Sequence, residues 1–479
     1  MIVVSFILIV LLLFIFVLRI TTYSYYFQIK EYRFDRLFSS MREQGILHFL
    51  YLQPFHLPAK KLRNVVTIGF LTIIALPVLC LSYQLPVMYL LILGILMPII
   101  SFVSVSCMVW GINIPVYMYR QYKIRRAQTK LQQHEVTVVG ITGSYGKTSI
   151  KEYLAHLLET QYKTVKTLKN MNTDIGVAIC ILQMVKKTTE YLIAEIGAYR
   201  RGEAAAIAAF IQPSAVIVSA FGNQHIDLYG SKEVLVESES EPLQYLRADG
   251  TAYINADIPE FKKITKGAEY RIVTYSVERT DTDIYANAIK TSSSGTSAHI
   301  HYRGHWFPIE TQLLGRHTIQ NLLPAIAYAS DQGILHPTIQ KAVANLRPIE
   351  HKLSLHTGLN KSTILSDSLN SNVDGFIEAV RIASEFPHKE KIIISKGIIE
   401  LGNDKHDSYR RIAKEIKATN LTLWTTDRLF PELIGPKQAQ LFLDEEEIRS
   451  QLKQRIGEGS LVVLEGKFTK DFVAFVLSL

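Results

Sequence analysis

A glycine-rich segment at residues 140–149, GITGSYGKTS, contains the residue types that bind phosphate. It follows the apolar β-branched run 136–139 and precedes a helix-like pattern. Glycines let the backbone close around phosphate oxygens, and a helix N-terminus supplies N–H donors. Lys147 adds a positive charge, and Thr148 adds a hydroxyl of the kind that binds Mg²⁺. The order of these features predicts a nucleoside triphosphate site, although Ile141 stands where the strict P-loop has its first glycine.

Two further polar residues follow apolar runs at predicted strand ends. Glu195 ends the run 192–194, the position of the carboxylate that holds Mg²⁺ in P-loop ATPases. His225 follows the apolar run 215–219 in a loop rich in Gly, Asn and Gln, where an imidazole could reach a second metal. The alternatives are a glutamate that faces solvent and a histidine that is merely exposed.

The elements that position these residues alternate along the chain. Short β-rich runs separated by helical patterns predict an α/β fold with a parallel, doubly wound sheet. A polar linker at 347–351 is followed by a second, Rossmann-like α/β unit up to residue 479. The predicted strands of the first unit are 136–141, 191–196, 215–219 and 251–255, its helices 176–185, 203–210 and 318–332, and its antiparallel insertion 270–313; the second unit has strands near 362–366, 390–395, 421–424 and 460–464.

Residues 1–135 are predicted to form a membrane region. The net charge of +9 lies wholly there, with 13 Lys and Arg against 4 Asp and Glu. The segment between Arg63 and Arg120 contains no charged residue, which is rare in soluble domains and predicts membrane spans. Three spans are predicted, at about 2–20, 65–82 and 87–110, the first being an uncleaved anchor because no small-residue cleavage site follows it.

The basic residues predict the topology of these spans. Bases are concentrated in 21–64 and again in 120–130, and such segments face the cytoplasm. Three spans then place the N-terminus outside, a short turn at 82–86 outside, and the phosphate loop in the cytoplasm. Segment 23–56 mixes aromatic and basic residues. It is either an amphipathic helix along the membrane interface or a hairpin that packs against the spans.

Composition argues against two other classes of protein. A nucleic-acid-binding protein usually carries its basic patch on the folded domain. Because residues 136–479 have no net charge, we expect no nucleic-acid partner. Cys80, Cys107 and Cys180 are scattered, without the spacing of a disulfide framework or a zinc site. The soluble part is therefore expected in a reducing compartment.

Seven motifs in order make the chain resemble the Mur ligase family, the ATP-dependent amide-forming enzymes of peptidoglycan assembly. Any one of them is modest evidence, but their succession over 136–479 is specific. The family's T-G-S/T-x-G-K-T, N-x-E-I-G-V, E-M/I-G-A, H-L/I-x-x-F/Y-G-S, G-R-H-N-x-x-N, D-S-Y-N-A-N-P and E-L-G are similar to 142–148, 172–177, 195–198, 225–231, 315–321, 367–373 and 400–402.

The resemblance implies a central ATPase domain at 136–346, a C-terminal domain at 347–479 and two cofactors, ATP and Mg²⁺. It implies that a carboxylate is joined to an amine through an acyl phosphate, with D-Ala-D-Ala or another amino acid or dipeptide added to a cell-wall precursor. The implied catalytic residues are Lys147, Glu195, His225 and Glu239; the metal ligands are Thr148, Glu195 and His225; and the nucleotide-binding residues are Thr142, Gly143, Ser144, Gly146, Lys147, Thr148, Ser149, Asn321, Asp367, Asn370 and Asn372.

The chain departs from the family at several positions. Membrane spans stand where the family has its UDP-binding domain, which makes a lipid-linked precursor attractive. Glu239 stands at the lysine that family members commonly carbamylate, and Ala220, Thr318 and Leu369 replace an asparagine, an asparagine and the adenine-stacking tyrosine. Three alternatives therefore stay open: a poly-γ-glutamate synthase-like enzyme, a ligase that amidates lipid-linked muropeptide with a partner glutaminase, and a non-enzymatic ATP-binding membrane scaffold.

Overall fold

The computed structural model describes residues 2–478 apart from 169–170, 199, 223–228, 230, 349–351, 359–360, 369–371, 399–400, 402–404 and 458. The chain divides into two compact units, Met1–Tyr122 and Lys123–Leu479. The predicted fold class is confirmed: parallel-rich α/β sheets are preceded by three long apolar helices.

The first unit is helical. Three of its helices are long and apolar enough to cross a membrane, as the sequence predicted, and the first and third extend beyond the predicted spans. The third continues because its polar, basic second half is still a good helix former, and it tolerates two internal prolines. The helices are α1 (Ile2–Ile29), α2 (Phe34–Gln44), α3 (Ile46–Tyr51), α4 (Leu62–Leu81) and α5 (Val87–Gln133), with a 3₁₀ turn at Ser82–Gln84.

Segment 23–56 packs against the apolar helices of its unit. Leu37 of α2 and Phe49 of α3 are fully buried, and both belong to one core with Tyr23 and Phe27 of α1. The Arg19 guanidinium of α1 donates to the Gln53 carbonyl at 3.3 Å and to the Tyr51 carbonyl. The structure therefore favours the packing alternative for this segment.

The second unit begins with a nine-stranded sheet in the order β2-β3-β1-β4-β5-β6-β7-β8-β9. All of its pairings from β2 to β7 are parallel, and β7, β8 and β9 are antiparallel. Its strands are β1 (Thr137–Thr142), β2 (Thr164–Lys166), β3 (Tyr191–Glu195), β4 (Ala215–Val218), β5 (Thr251–Asn255), β6 (Arg271–Ser276), β7 (Ile284–Ser292), β8 (Gly295–Tyr302) and β9 (His305–Thr311).

Helices cover this sheet because its central strands are buried along their whole length and expose no polar face. The helices are α6 (Lys147–Leu158), α7 (Asp174–Met184), α8 (Glu203–Ile211), α9 (Lys232–Ser240), α10 (Phe261–Thr265), α11 (Arg316–Asp331) and α12 (His336–Ala344), with a 3₁₀ helix at Glu241–Tyr245.

The prediction of a separate antiparallel insertion at 270–313 is wrong in part. Residues 271–276 form a parallel strand that pairs with β5, and β7 then pairs with that strand in parallel. Only 284–311 is antiparallel, and it extends the same sheet. The alternating Thr, Tyr and Ser pattern gave the strand period but not the direction of pairing, which tertiary contacts decide.

A second, six-stranded sheet follows in the order β10-β11-β15-β12-β13-β14, parallel except for β10. Its strands are β10 (Ser354–Thr357), β11 (Thr363–Asp367), β12 (Glu390–Ser395), β13 (Thr422–Thr425), β14 (Ala439–Leu441) and β15 (Ser460–Glu465), and its helices are α13 (Val373–Glu385), α14 (Lys405–Lys417), α15 (Leu429–Ile434), α16 (Glu445–Arg455) and α17 (Lys470–Leu477).

The division into two compact units falls inside α5, at Lys123. The reason is that Ala127 and Leu131 of α5 pack in one core with Val136 and the first sheet. The predicted boundary at 135/136 stays a prediction. The predicted boundary at 346/347 lies between α12 and β10 and stays a prediction.

Candidate active site

The phosphate loop connects β1 directly to α6. Gly143 and Gly146 both adopt left-handed backbone conformations, with φ of +114° and +82°, which a residue with a Cβ rarely adopts. A Cβ on Gly143 would contact the Ser219 hydroxyl, and one on Gly146 would contact the Asn321 side chain. The sequence needs glycine at both positions for conformation and for space.

The end of β4 holds this loop in place. The backbone N–H of Ser144 donates to the Ala220 carbonyl at 2.7 Å, and the Ser219 hydroxyl donates to the Thr142 carbonyl at 3.0 Å. The loop is therefore held in place by residues that follow a neighbouring strand.

Glu195 lies at the end of β3, beside β1, as the sequence predicted. Its side chain is almost fully buried and accepts hydrogen bonds from the Thr148 hydroxyl at 3.1 Å, the Lys151 ammonium at 3.0 Å and the Asn172 amide at 3.3 Å. The structure thus brings the predicted carboxylate and the predicted threonine together.

Lys147 begins α6 and turns back over the loop. Its ammonium donates to the Gly143 carbonyl and lies 3.9 Å from Oε1 of Glu239. Glu239 comes from α9 and is also buried; its Oε2 accepts from the Gly143 N–H at 3.1 Å and lies 3.0 Å from the Thr142 hydroxyl. Glu239 therefore contacts the phosphate loop itself, a contact that the sequence did not predict.

The residues predicted to bind adenosine lie in several places. Asn321 of α11 lies against Gly146. Asn372 caps α13, accepting from the Gly375 N–H at 2.8 Å. Asp367 ends β11, and burial raises the pKa of its carboxyl group. His225 and Asn370 lie outside the described residues, so their predicted roles stay predictions.

Three charged residues of the site were not predicted from the sequence. Lys151 is fully buried against Glu195; it lies one helical turn after Lys147, so the spacing could have revealed it. Lys352 donates to the Ser149 hydroxyl at 2.6 Å, and burial lowers its pKa although Asp367 and Glu195 oppose the shift. No local pattern marks Lys352, because the fold alone brings residue 352 to residue 149.

The third missed residue is Glu465, a buried carboxyl at the end of β15. It is paired in register with Asp367 of β11, because the two strands are parallel neighbours that end together. Its place at the end of an apolar strand was the available signal, the same signal that identified Glu195.

The loop and its neighbours fit a magnesium nucleotide. Oxygen donors suit Mg²⁺, which usually keeps several water ligands and takes only one or two carboxylates from the protein. Thr148 and Glu195 supply one hydroxyl and one carboxylate at 3.1 Å from each other. Within the described ranges, no group of three His, Cys, Asp or Glu residues is placed to hold a metal.

Comparison with known proteins confirms the family predicted from the motifs. The Mur ligase middle domain matches residues 141–329. The UDP-N-acetylmuramoyl-tripeptide–D-alanyl-D-alanine ligase of Buchnera aphidicola is 27% identical over 71% of this chain and 74% of its own length. The ligase of the same name from Escherichia coli is 28% identical over 60% of this chain, which spans 64% of that relative's length.

Solved structures show the same fold. MurF from Acinetobacter baumannii gives a TM-score of 0.68 at 19% identity, covering 75% of this chain and 80% of that one. The MurF ligase of Thermotoga maritima in complex with ADP gives 0.66 at 21% identity, covering 75% and 82%.

Proposed function

This chain belongs to the Mur ligase family, and we propose that it is a membrane-anchored, ADP-forming ligase that adds D-Ala-D-Ala to a peptidoglycan precursor. The observation that carries the proposal is the assembled phosphate site: Lys147, Thr148 and Glu195 meet at the glycine loop. The relatives' names supply the substrate class.

The reaction proposed here has two steps. A precursor carboxylate attacks the γ-phosphorus of ATP, which breaks the bond to ADP and forms an acyl phosphate. The amine of D-Ala-D-Ala then attacks the acyl carbon, phosphate leaves, and the nitrogen loses a proton. Such chemistry depends on positioning and on stabilisation of charge more than on covalent work by the protein.

Named residues of this chain supply that positioning. Lys147 and the loop N–H groups bind phosphate oxygens, while Thr148 and Glu195 would hold Mg²⁺, which neutralises phosphate charge. The Lys151 ammonium donates a hydrogen bond to the Glu195 carboxylate at 3.0 Å and so holds that carboxylate in place. Lys352, which precedes the second sheet, donates a hydrogen bond to Ser149 of the helix that follows the phosphate loop. This contact links the two segments, so that the residues proposed to bind adenosine can be brought to the loop.

The membrane region bears on the acceptor. Three helices in the first unit are long and apolar enough to span a bilayer. The described apolar surface of these helices is extensive, with many large side chains about half exposed, which suits a lipid environment. A ligase anchored in this way could act on a lipid-linked precursor at the inner face of the membrane, in place of a UDP-linked one.

Two other enzymatic products and one non-enzymatic role remain alternatives. A poly-γ-glutamate synthase-like ligase or an amidating ligase with a partner glutaminase would use the same phosphate site with another amine. A non-enzymatic ATP-binding scaffold would not need the buried contacts of Lys151, Thr148 and Asn172 to Glu195. These contacts favour an enzyme.

The deciding experiment measures ADP release by the detergent-solubilised full chain. The acceptors are UDP-linked and lipid-linked muropeptides, and the amines are D-Ala-D-Ala, single amino acids, glutamate and ammonia. We expect ADP release only when an acceptor and D-Ala-D-Ala are both present. ADP release with an acceptor and ammonia, or with an acceptor and glutamate, but not with D-Ala-D-Ala, would establish one of the alternative products. If no pair of acceptor and amine leads to ADP release, the result would support the non-enzymatic scaffold.

The topology of the membrane region gives a direct prediction. The basic residues of 21–64 and 120–130 place both segments in the cytoplasm. A topology reporter fused after Leu479 is expected to report a cytoplasmic location. The same reporter inserted at Tyr83, in the short 3₁₀ turn, is expected to report an external location. An external signal from the C-terminal fusion would contradict the topology; a reporter inserted at Lys187 serves as a second cytoplasmic control.

A further prediction concerns carbon dioxide. Glutamate carries a permanent negative charge where the family commonly carbamylates lysine, a modification that consumes CO₂. We expect turnover to be equal in CO₂-depleted buffer and in buffer with added bicarbonate, and Glu239→Ala to lose more activity than Glu239→Asp. Stimulation of the wild-type chain by bicarbonate would show that another residue is carbamylated.

A further inference from the structure

The Glu239 carboxylate lies on the phosphate loop. Its side chain is about 4% exposed, and Oε2 accepts from the Gly143 N–H at 3.1 Å and lies 3.0 Å from the Thr142 hydroxyl. Oε1 lies 3.9 Å from the Lys147 ammonium. The Thr142 hydroxyl also approaches the Glu239 carbonyl at 2.6 Å, which holds the end of α9 against the loop.

Two partners of this carboxylate, a loop N–H and the loop lysine, are of the kind that a phosphate loop offers to a nucleotide. A buried carboxylate is stable only with charge-assisted donors, and here they are a loop N–H and the loop lysine, because the Thr142 hydroxyl, with its one proton, lies closer to the Glu239 carbonyl, at 2.6 Å. A glycine loop before a helix is in turn a concave site for an anion. The carboxylate and the loop therefore satisfy each other's hydrogen-bonding groups.

We propose that Glu239 is an internal competitor for the nucleotide phosphates, which occupies the phosphate loop in the resting enzyme and is displaced when ATP binds. This deepens the proposed function, on which it rests for the identity of the ligand as a nucleotide. A phosphate and the carboxylate repel each other at this range, and both require the Lys147 ammonium. The apparent affinity for nucleotide is reduced by the fraction of molecules whose loop is occupied.

The consequence is a gain in affinity when the competitor is removed. Glu239→Gln keeps the shape of the side chain and removes its charge, and a neutral hydrogen bond is about half as strong as a charge-assisted one. We expect the Kd of ADP and of inorganic pyrophosphate to fall about 10-fold or more, the range expected when a charge-assisted contact no longer competes.

The test measures binding of ADP and pyrophosphate to the full chain in detergent, by calorimetry in EDTA so that no metal contributes. Glu237→Gln is the matched control, because Glu237 lies on the same helix and is half exposed, beside Lys263 and Arg201. Glu239→Asp keeps the charge but shortens its reach, and its affinity should lie between those of wild type and Glu239→Gln.

Equal affinities of Glu239→Gln and Glu237→Gln for both probes would overturn the proposal and leave Glu239 as a structural brace of the loop. If Glu239→Gln does not fold, Glu239→Asp decides: tighter binding than wild type supports competition, and unchanged binding refutes it. Failure of the ligase function would appear separately, as absent ADP release across the substrate panel, because this test involves no turnover.

Discussion

Lys147→Ala is expected to lower ATP turnover by about 10²–10³, the usual effect of removing one preorganised group that stabilises transition-state charge. The ammonium lies over the loop and binds the Gly143 carbonyl. The loop N–H groups remain in the variant, so a weak nucleotide affinity should survive. The measurement is ADP release by the full chain with the acceptor and amine identified by the substrate panel.

The controls separate catalysis from folding. Lys163→Ala removes an exposed lysine just before β2 in the same sheet and should leave turnover unchanged. Lys147→Ala should still unfold in one cooperative thermal transition, although its Tm is expected to fall because the buried Glu239 carboxylate loses the ammonium that lies 3.9 Å from Oε1. Substrate-dependent ADP release at the wild-type rate in Lys147→Ala would refute a catalytic phosphate loop.

The sequence predicted those parts of the site that lie within one strand-loop-helix segment. Thr142, Gly143, Gly146 and Lys147 follow one another in the chain, and their types are dictated by left-handed backbone and by charge. Glu195 was also predictable, because the carboxyl ends of neighbouring parallel strands meet at one edge.

The parts that were missed depend on packing between distant segments. Lys352 reaches Ser149 across about 200 positions of sequence, and Thr142 reaches Glu239 across about 100. Side-chain periodicity carries no information about such pairs, because it reports only which face of an element is buried. The family resemblance aligned Glu239 with a metal-site lysine, yet the structure places its carboxylate on the loop N–H.

The strands of the two sheets were also predicted only in part from the sequence. Continuous apolar runs predicted the central strands, including the four-residue strands β4 and β13, but the edge strands β2, β10 and β14 were not predicted. These edge strands are three or four residues long and only partly buried, so they show neither a continuous apolar run nor enough positions for a period of two. The pairing direction of β6 was missed for a related reason, since one strand's pattern does not specify its neighbours.

The Lys151–Glu195 pair gives the largest expected effect on stability. The Lys151 ammonium is fully buried, 3.0 Å from the Glu195 carboxylate, and Glu195 is nearly buried as well. Lys151→Met keeps the length of the side chain and leaves the carboxylate without its cation. Breaking a buried pair from one side destabilises a protein by about 3–5 kcal/mol, which corresponds to a fall in Tm of about 4–7 °C for a cooperative unit the size of Lys123–Leu479.

Lys166→Met is the matched control, because Lys166 pairs with Glu152, the second carboxylate near Lys151, but is partly exposed. Exposed pairs contribute about 0–1 kcal/mol, so its Tm should change little. An equal fall in Tm for Lys151→Met and Lys166→Met would contradict the buried-pair interpretation.

The double variant Lys151→Met/Glu195→Gln separates the two roles of the pair. It removes both charges, and replacing a buried pair by neutral groups of similar size is often neutral for stability. We therefore expect the double variant to recover most of the lost Tm. ADP release should stay low, because the amide of glutamine is a weaker magnesium ligand than a carboxylate. Recovery of both Tm and turnover would show that Glu195 serves the fold and holds no metal.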